Sequence, residues 1–204
     1  MKQINKYIVE RLHINKDIDS HIEYNYHPKT SDELKQLVDK LIKERGYDAD
    51  LNDIDTSEIT DMYGLFKSSN FNGDISKWNV RNVKYMSFMF YNSKFTGENG
   101  DISEWDVSNV ETMDSMFRES LFNEDISKWD VSNVKDMSYM FCGTSFNGDI
   151  SNWDVSNVED MCYMFTESKF NGDISKWDVS NAADIKHMFD KSPLEKNPPK
   201  WYKK

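Results

Sequence analysis

The sequence predicts an α/β repeat solenoid: right-handed coils, each a short parallel strand plus a helix, behind a helical N-terminal cap. Three observations carry that expectation. One phrase recurs, cleanest from Phe146 to Phe165 as FNGDISNWDVSNVEDMCYMF, with near-copies beginning at Phe71, Phe95, Phe122 and Phe170. The tryptophans keep count at Trp78, Trp105, Trp129, Trp153, Trp177 and Trp201; four of these steps are 24 residues and the first is 27. Within each copy the apolar spacing changes from alternation to a helical stripe. A fixed period of this length marks stacked units, each too small to bury its own apolar face.

Residues 1–50 read as the cap. Ile4, Ile8, Val9 and Leu12 recur at helical spacing, and the chain then crosses in extended form through Tyr24–Pro28. A second helix is better marked. Thr30 and Glu33 form a capping box, Leu34, Leu37, Val38 and Leu41 make its apolar stripe, and Gly46 follows its last basic residues.

Residues 51–192 read as about six coils of 24 residues. The first is degenerate, with Leu51, Ile54, Ile59, Met62 and Phe66; full coils begin at Ile75, Ile102, Ile126, Ile150 and Ile174. From Ile150 onward, Trp153 and Val155 alternate about Asp154 as in a strand. Ser156 and Glu159 then form a capping box, as do Ser108 and Glu111, and Val158, Met161, Met164 and Phe165 share one helical face. Asn171-Gly172 turns the chain back. The three extra residues of the long step fall near Glu98-Asn99-Gly100, in such a return loop. Residues 193–204 form a partial coil and a basic tail, where Pro198-Pro199 stops any ladder.

Composition narrows the function classes. Charged residues make up 30% and hydrophobic ones 38%, which suits a folded, soluble chain. No apolar run approaches a membrane span, and the charged opening is no signal peptide, so no membrane insertion and a cytoplasmic location are expected. Cys142 and Cys162 are expected to be free thiols. Net charge is −11, but residues 51–190 hold 25 acidic side chains against 11 basic, whereas residues 191–204 hold 5 basic and 1 acidic. Such an array repels phosphate backbones and attracts basic surfaces. A protein partner with a basic surface is therefore expected, and direct nucleic-acid binding is not.

The phrase Trp-Asp-Val-Ser-Asn-Val-x-x-Met-x-x-Met-Phe, followed by Phe-Asn-Gly-Asp-Ile-Ser, resembles the BspA-like repeat of bacterial surface proteins and lipoproteins over residues 51–192. Ile-x-x-Trp-x-Val-x-Asn-Val is likewise close to the strand signature of leucine-rich repeats. The resemblance implies a leucine-rich-repeat-type solenoid used for binding, often adhesion or host contact, with no catalytic residues. The opening MKQINKYIVERLHINKD resembles openings of gut-bacteriophage proteins.

Candidate contact residues come from the repeat columns. Asp55, Asn79, Asp106, Asp130, Asp154 and Asp178 share one outward position. Like charges so close repel unless a partner, cations or hydrogen bonds offset them. Two residues earlier stand Lys77, Glu104, Lys128, Asn152 and Lys176, placed to pair with them. A binding stripe and simple turn hydrogen bonding both fit the acid column. Tyr139 and Tyr163 belong to a second variable column with Phe88, Ser115 and His187, either a contact surface or the edge of helix packing.

Asn82, Asn109, Asn133, Asn157 and Asn181 fit backbone bonding at a tight turn, and Asp74, Asp101, Asp125, Asp149 and Asp173 fit turn chemistry. The four histidines show no metal spacing, and neither a nucleophile motif nor a phosphate loop occurs. The expectation is a non-enzymatic protein-interaction module without cofactor. Two other classes stay open: a phage-encoded inhibitor mimicking nucleic-acid charge, and a structural virion or surface component.

Overall fold

The computed structural model describes residues 23–203, so the helix expected over about Ile4 to Leu12 lies outside the described residues. The chain enters in extended form: Tyr26 forms a parallel bridge with Ile54. Helix α1, Ser31–Arg45, follows. Thr30 Oγ1 accepts the Glu33 N–H at 3.2 Å, while the Glu33 carboxylate accepts the Lys29 N–H at 2.6 Å instead of closing the reciprocal bond. Asp32 and Glu33 in the first turn, and Lys43 and Arg45 in the last, suit the helix dipole. The helix ends at Gly46, whose φ of 95° a side chain would resist. Leu34, Val38 and Leu41 are buried in the common core, and the Ser31 hydroxyl donates to the Asp61 carbonyl at 2.6 Å. α1 thus covers the first repeat.

The repeats are not strand plus helix. Beyond α1, the described residues hold one 3-10 turn, Pro193–Glu195, and isolated parallel bridges, with no extended strand. The α/β class is therefore overturned, and so are the capping boxes read at Ser108 and Ser156. The Ser156 amide turns back to Asp154 Oδ1, and the Glu159 amide donates to Lys135 O one repeat earlier. Nor does Trp153–Val155 pair as a strand; the bridging column is Asp61, Tyr85, Thr112, Asp136, Asp160 and Asp184.

Each repeat is instead a rung of consecutive four-residue turns. Met164 N–H donates to Met161 O, Thr166 to Tyr163 O, and Ser168 to Phe165 O, each three residues back. The alternate amides donate onward: those of Met161, Tyr163, Phe165 and Glu167 reach the carbonyls of Asp184, Lys186, Met188 and Asp190 at 2.8–3.0 Å. The same four-bond junction recurs from Met137, from Met113, from Met86 and from Met62. Interleaving the two sets requires left-handed residues. Tyr163 and Glu167 have φ of 57° and 58°, and Tyr139, His187, Glu119 and Lys191 repeat them. A helix cannot pass through such residues.

Stacking buries what one rung cannot. Columns of Ile, Trp, Val, Met and Phe form one continuous core from Leu34 to Tyr202. Two phenylalanine columns run through it. Phe117 stacks on Phe141 at 5.9 Å, Phe122 on Phe146 at 6.2 Å, and Phe117 meets Phe122 within its rung at 4.1 Å. Such pairs add about 0.5–1.5 kcal/mol each beyond area burial. Each tryptophan Nε1–H donates to the preceding rung: Trp129 to Ile102 O at 3.1 Å, Trp153 to Ile126 O at 3.2 Å, and Trp201 to Ile174 O at 2.9 Å. Trp201 thus continues the column past Pro198-Pro199.

Candidate functional site

The acid columns sit at rung corners. Asp106, Asp130, Asp154 and Asp178 are exposed and Asp55 is half-buried. Each turns Oδ1 onto the amide two residues ahead: Ser57, Ser108, Ser132, Ser156 and Ser180 donate to them at 3.0–3.2 Å. Asn79, the neutral member, makes the same closure with Arg81 N–H at 3.2 Å. The second acid column does likewise, with Asp125, Asp149 and Asp173 accepting from Ser127, Ser151 and Ser175 at 2.8–2.9 Å. These are Asx turns, so the acids have a local structural role whatever else they contact.

Those bonds also favour the charged form of several of these acids. Ser156, through its hydroxyl and its amide, holds the Asp154 carboxyl below the usual range against repulsion from Asp178. Ser180 does the same for Asp178. Amide donation from Ser127, Ser151 and Ser175 lowers Asp125, Asp149 and Asp173. At Asp55, burial works upward but is outweighed by Ser57 and His27. Donated amide dipoles thus offset the repulsion between stacked carboxylates.

The lysines do not pair with the column as expected. Lys128 pairs with Glu104, its counterpart one rung earlier. Lys176 is exposed and contributes to lowering Asp173 in the second column. Asp106 lies 3.8 Å from Arg81 Nε across the neutral Asn79 rung. There Asp55, Asn79, Arg81, Glu104 and Asp106 line an open groove of about 550 Å³.

Tyr139 and Tyr163 belong to a separate ladder. Their rings stack at 4.7 Å and 6°, and His187 continues at 4.8 Å. Since no helix exists there, the helix-edge reading is withdrawn. Ser115 leaves a gap in this column, and the Arg118 guanidinium fills it, 4.9 Å from the Tyr139 ring and 5.6 Å from that of Tyr91. Lys67 lies over Phe88 at 5.1 Å. These cation contacts were not legible from columns alone, because Arg118 and Lys67 stand at other positions of the rung.

The asparagine ladder bonds to backbone as expected, but across rungs and not at a strand-to-helix turn. Asn82, Asn109, Asn133, Asn157 and Asn181 each donate from Nδ2 to a backbone carbonyl of the preceding rung at 2.7–2.8 Å. A third set of Asx turns was missed. Asp136 and Asp160 accept from Ser138 and Cys162 amides at 2.9 and 2.8 Å, and the acid or threonine before Met62, Met113, Met137 and Met161 was its signal. Burial, with Asp160 beside it, pushes the Cys162 thiol up to about 12, and Cys142 is also raised by burial. Neither thiol is thiolate-rich at neutral pH. Among the described residues no helix is long and apolar enough to cross a membrane.

Two overlapping segments, residues 27–99 and 93–201, match the family described as Mycoplasma protein of unknown function, DUF285. No curated protein and no solved structure matches the chain.

Proposed function

The chain belongs to the DUF285 family, and we propose that it works as a non-enzymatic protein-binding module whose acidic columns receive a basic partner surface. One observation carries this reading. Exposed carboxylates recur rung after rung, each anchored through Oδ1 by its own Asx turn, with Oδ2 outside that turn. Anchoring removes most of the side-chain entropy that binding would otherwise have to remove. The rung repeat gives the charges a regular spacing, and residues 51–190 hold 25 acidic against 11 basic side chains. Such a face steers a basic protein by long-range attraction.

The test is capture from a cell lysate on immobilised full-length chain, at low and at high salt, with mass spectrometry of the retained proteins. Basic proteins held at low salt and released at high salt support the reading. Retention that ignores salt, or an empty capture at low salt, contradicts it.

A further inference from the structure

The last rung leaves open an edge that every earlier rung has filled. Beneath the Tyr163 ring, the amides of Met137 and Tyr139 donate to Asp160 O and Cys162 O, both at 2.9 Å. Beneath the His187 ring, Met161 and Tyr163 donate to Asp184 O and Lys186 O at 2.8 and 3.0 Å. These two rungs therefore dock edge to edge as runs of turns: an aromatic ring stacks on the ring below, while the carbonyls one and three residues before it take two amides.

At the last rung the corresponding donors are Ile185 and His187. Neither amide has an acceptor among the described residues. The His187 ring is held by Nδ1 against Asp190 Oδ2 at 2.7 Å, and His187 is exposed where Tyr163 is half-buried. Beside it lies a pocket of about 400 Å³ lined by Ile185, Lys186, His187, Asp190, Tyr202 and Lys203. Beyond it the Phe189 amide also has no acceptor among the described residues, but Tyr202 packs edge-on over the Phe189 ring at 4.9 Å, and Glu195 accepts the Lys191 N–H at 2.9 Å.

We propose that this pocket is a docking slot for a short segment of a partner protein that turns as a rung does, bearing an aromatic residue whose ring continues the column over His187. The carbonyls one and three residues before that aromatic would accept the His187 and Ile185 amides, as the Asp184 and Lys186 carbonyls accept those of Met161 and Tyr163. A second copy of this chain is a poor occupant. Asp184 and Lys186 carbonyls are already taken by the rung beneath, so the open edge offers donors, and two donor edges cannot pair. The opposite end lies under α1, with Asp61 O taken by the Ser31 hydroxyl. The slot is distinct from the acidic columns and does not depend on their role.

The chain supplies its own probe. An acetylated, amidated peptide of residues 134–140, VKDMSYM, places Tyr139 after the carbonyls of Asp136 and Ser138 and carries no net charge. Titrated into the full chain, it should cause saturable shifts of the Ile185 and His187 amide resonances that persist at high salt. A peptide carrying Tyr139→Ala should bind about threefold or more weakly, the scale of one lost ring contact. The protein variant His187→Ala should show the same loss with its other amide resonances unmoved, since Ser115 shows that the column accepts a small side chain. Absence of shifts at millimolar peptide, or equal shifts with the alanine peptide, would overturn the slot.

Discussion

The indole Nε1–H of Trp129 donates to the carbonyl oxygen of Ile102, 3.1 Å away and one rung back. Both residues are buried, so this is a polar tie inside an apolar column. It explains why the repeat carries tryptophan where a leucine would fill the core. The rung below turns at Ile102, whose carbonyl accepts the Trp105 N–H at 3.2 Å, and the indole is the second donor to that oxygen. Trp129→Phe keeps most of the ring and removes the donor. It should lower stability by about 0.5–1.5 kcal/mol, read from the urea midpoint, because one of the two hydrogen bonds to a buried carbonyl is lost. An unchanged midpoint would mean that the tie contributes nothing.

The acid columns separate two roles by substitution. Asn79 already closes the Asx turn in a column otherwise of aspartates. Asp130→Asn should therefore leave the thermal midpoint unchanged or slightly raised, since the turn is kept and repulsion falls. Asp130→Ala removes the acceptor for the Ser132 amide and should lower stability by about 0.5–1.5 kcal/mol. Equal midpoints for the two variants would show that the turn bond is dispensable.

Left-handed residues offer a gain. Glu119 has φ of 57°, and Gly143 holds the corresponding place one rung later at 70°. Glu119→Gly relieves the Cβ strain of that conformation, about 1–2 kcal/mol, against a chain-entropy loss of about 0.5–1 kcal/mol. The expected result is a small rise in the urea midpoint. A clear fall would contradict the strain account.

Acid should loosen the stack. Asp125, Asp149, Asp154, Asp173 and Asp178 all have carboxyls lowered by their serine partners. A carboxyl lowered in the folded state contributes stability above its unfolded pKa of about 4, and loses it as pH falls through the folded value. Asp114, raised by burial and set between Ser115 and Ser138 hydroxyls, acts in the opposite sense but stands alone among these acids. Urea midpoints measured from pH 7 downward should hold to about pH 5 and then fall. A midpoint that rises below pH 4 would contradict the assignment of these bonds.

What the sequence revealed depended on which physical quantity leaves a mark in residue type. The repeat length, the core columns, helix α1 with its Thr30 cap, and the asparagine ties could all be read, because apolar periodicity and side-chain chemistry declare them. The rung conformation could not. Met161, Met164 and Phe165 have the spacing of a helical face, and the same spacing arises when four-residue turns follow one another. Only the sign of φ separates the two. Here Tyr163, Glu167 and His187 occupy left-handed positions where glycine would have announced them, and Gly64 and Gly143 were the sparse hint. At the candidate site, the serine two residues after each aspartate carried the Asx turn openly. The pairing of Lys128 with Glu104 was legible too, since the two stand 24 residues apart in one column, although the expected partners were the acids of each lysine's own rung.

The most direct test compares the wild-type chain with Asp106→Asn, Asp130→Asn and Asp154→Asn combined, each captured against the same lysate at low salt. Asn79 gives the reason to expect a folded variant, and an unchanged thermal midpoint checks it. The acidic-column account predicts that basic proteins retained by the wild type are lost, or retained severalfold less, by the folded variant. Undiminished retention by that variant would contradict it and leave the carboxylates with their turns alone.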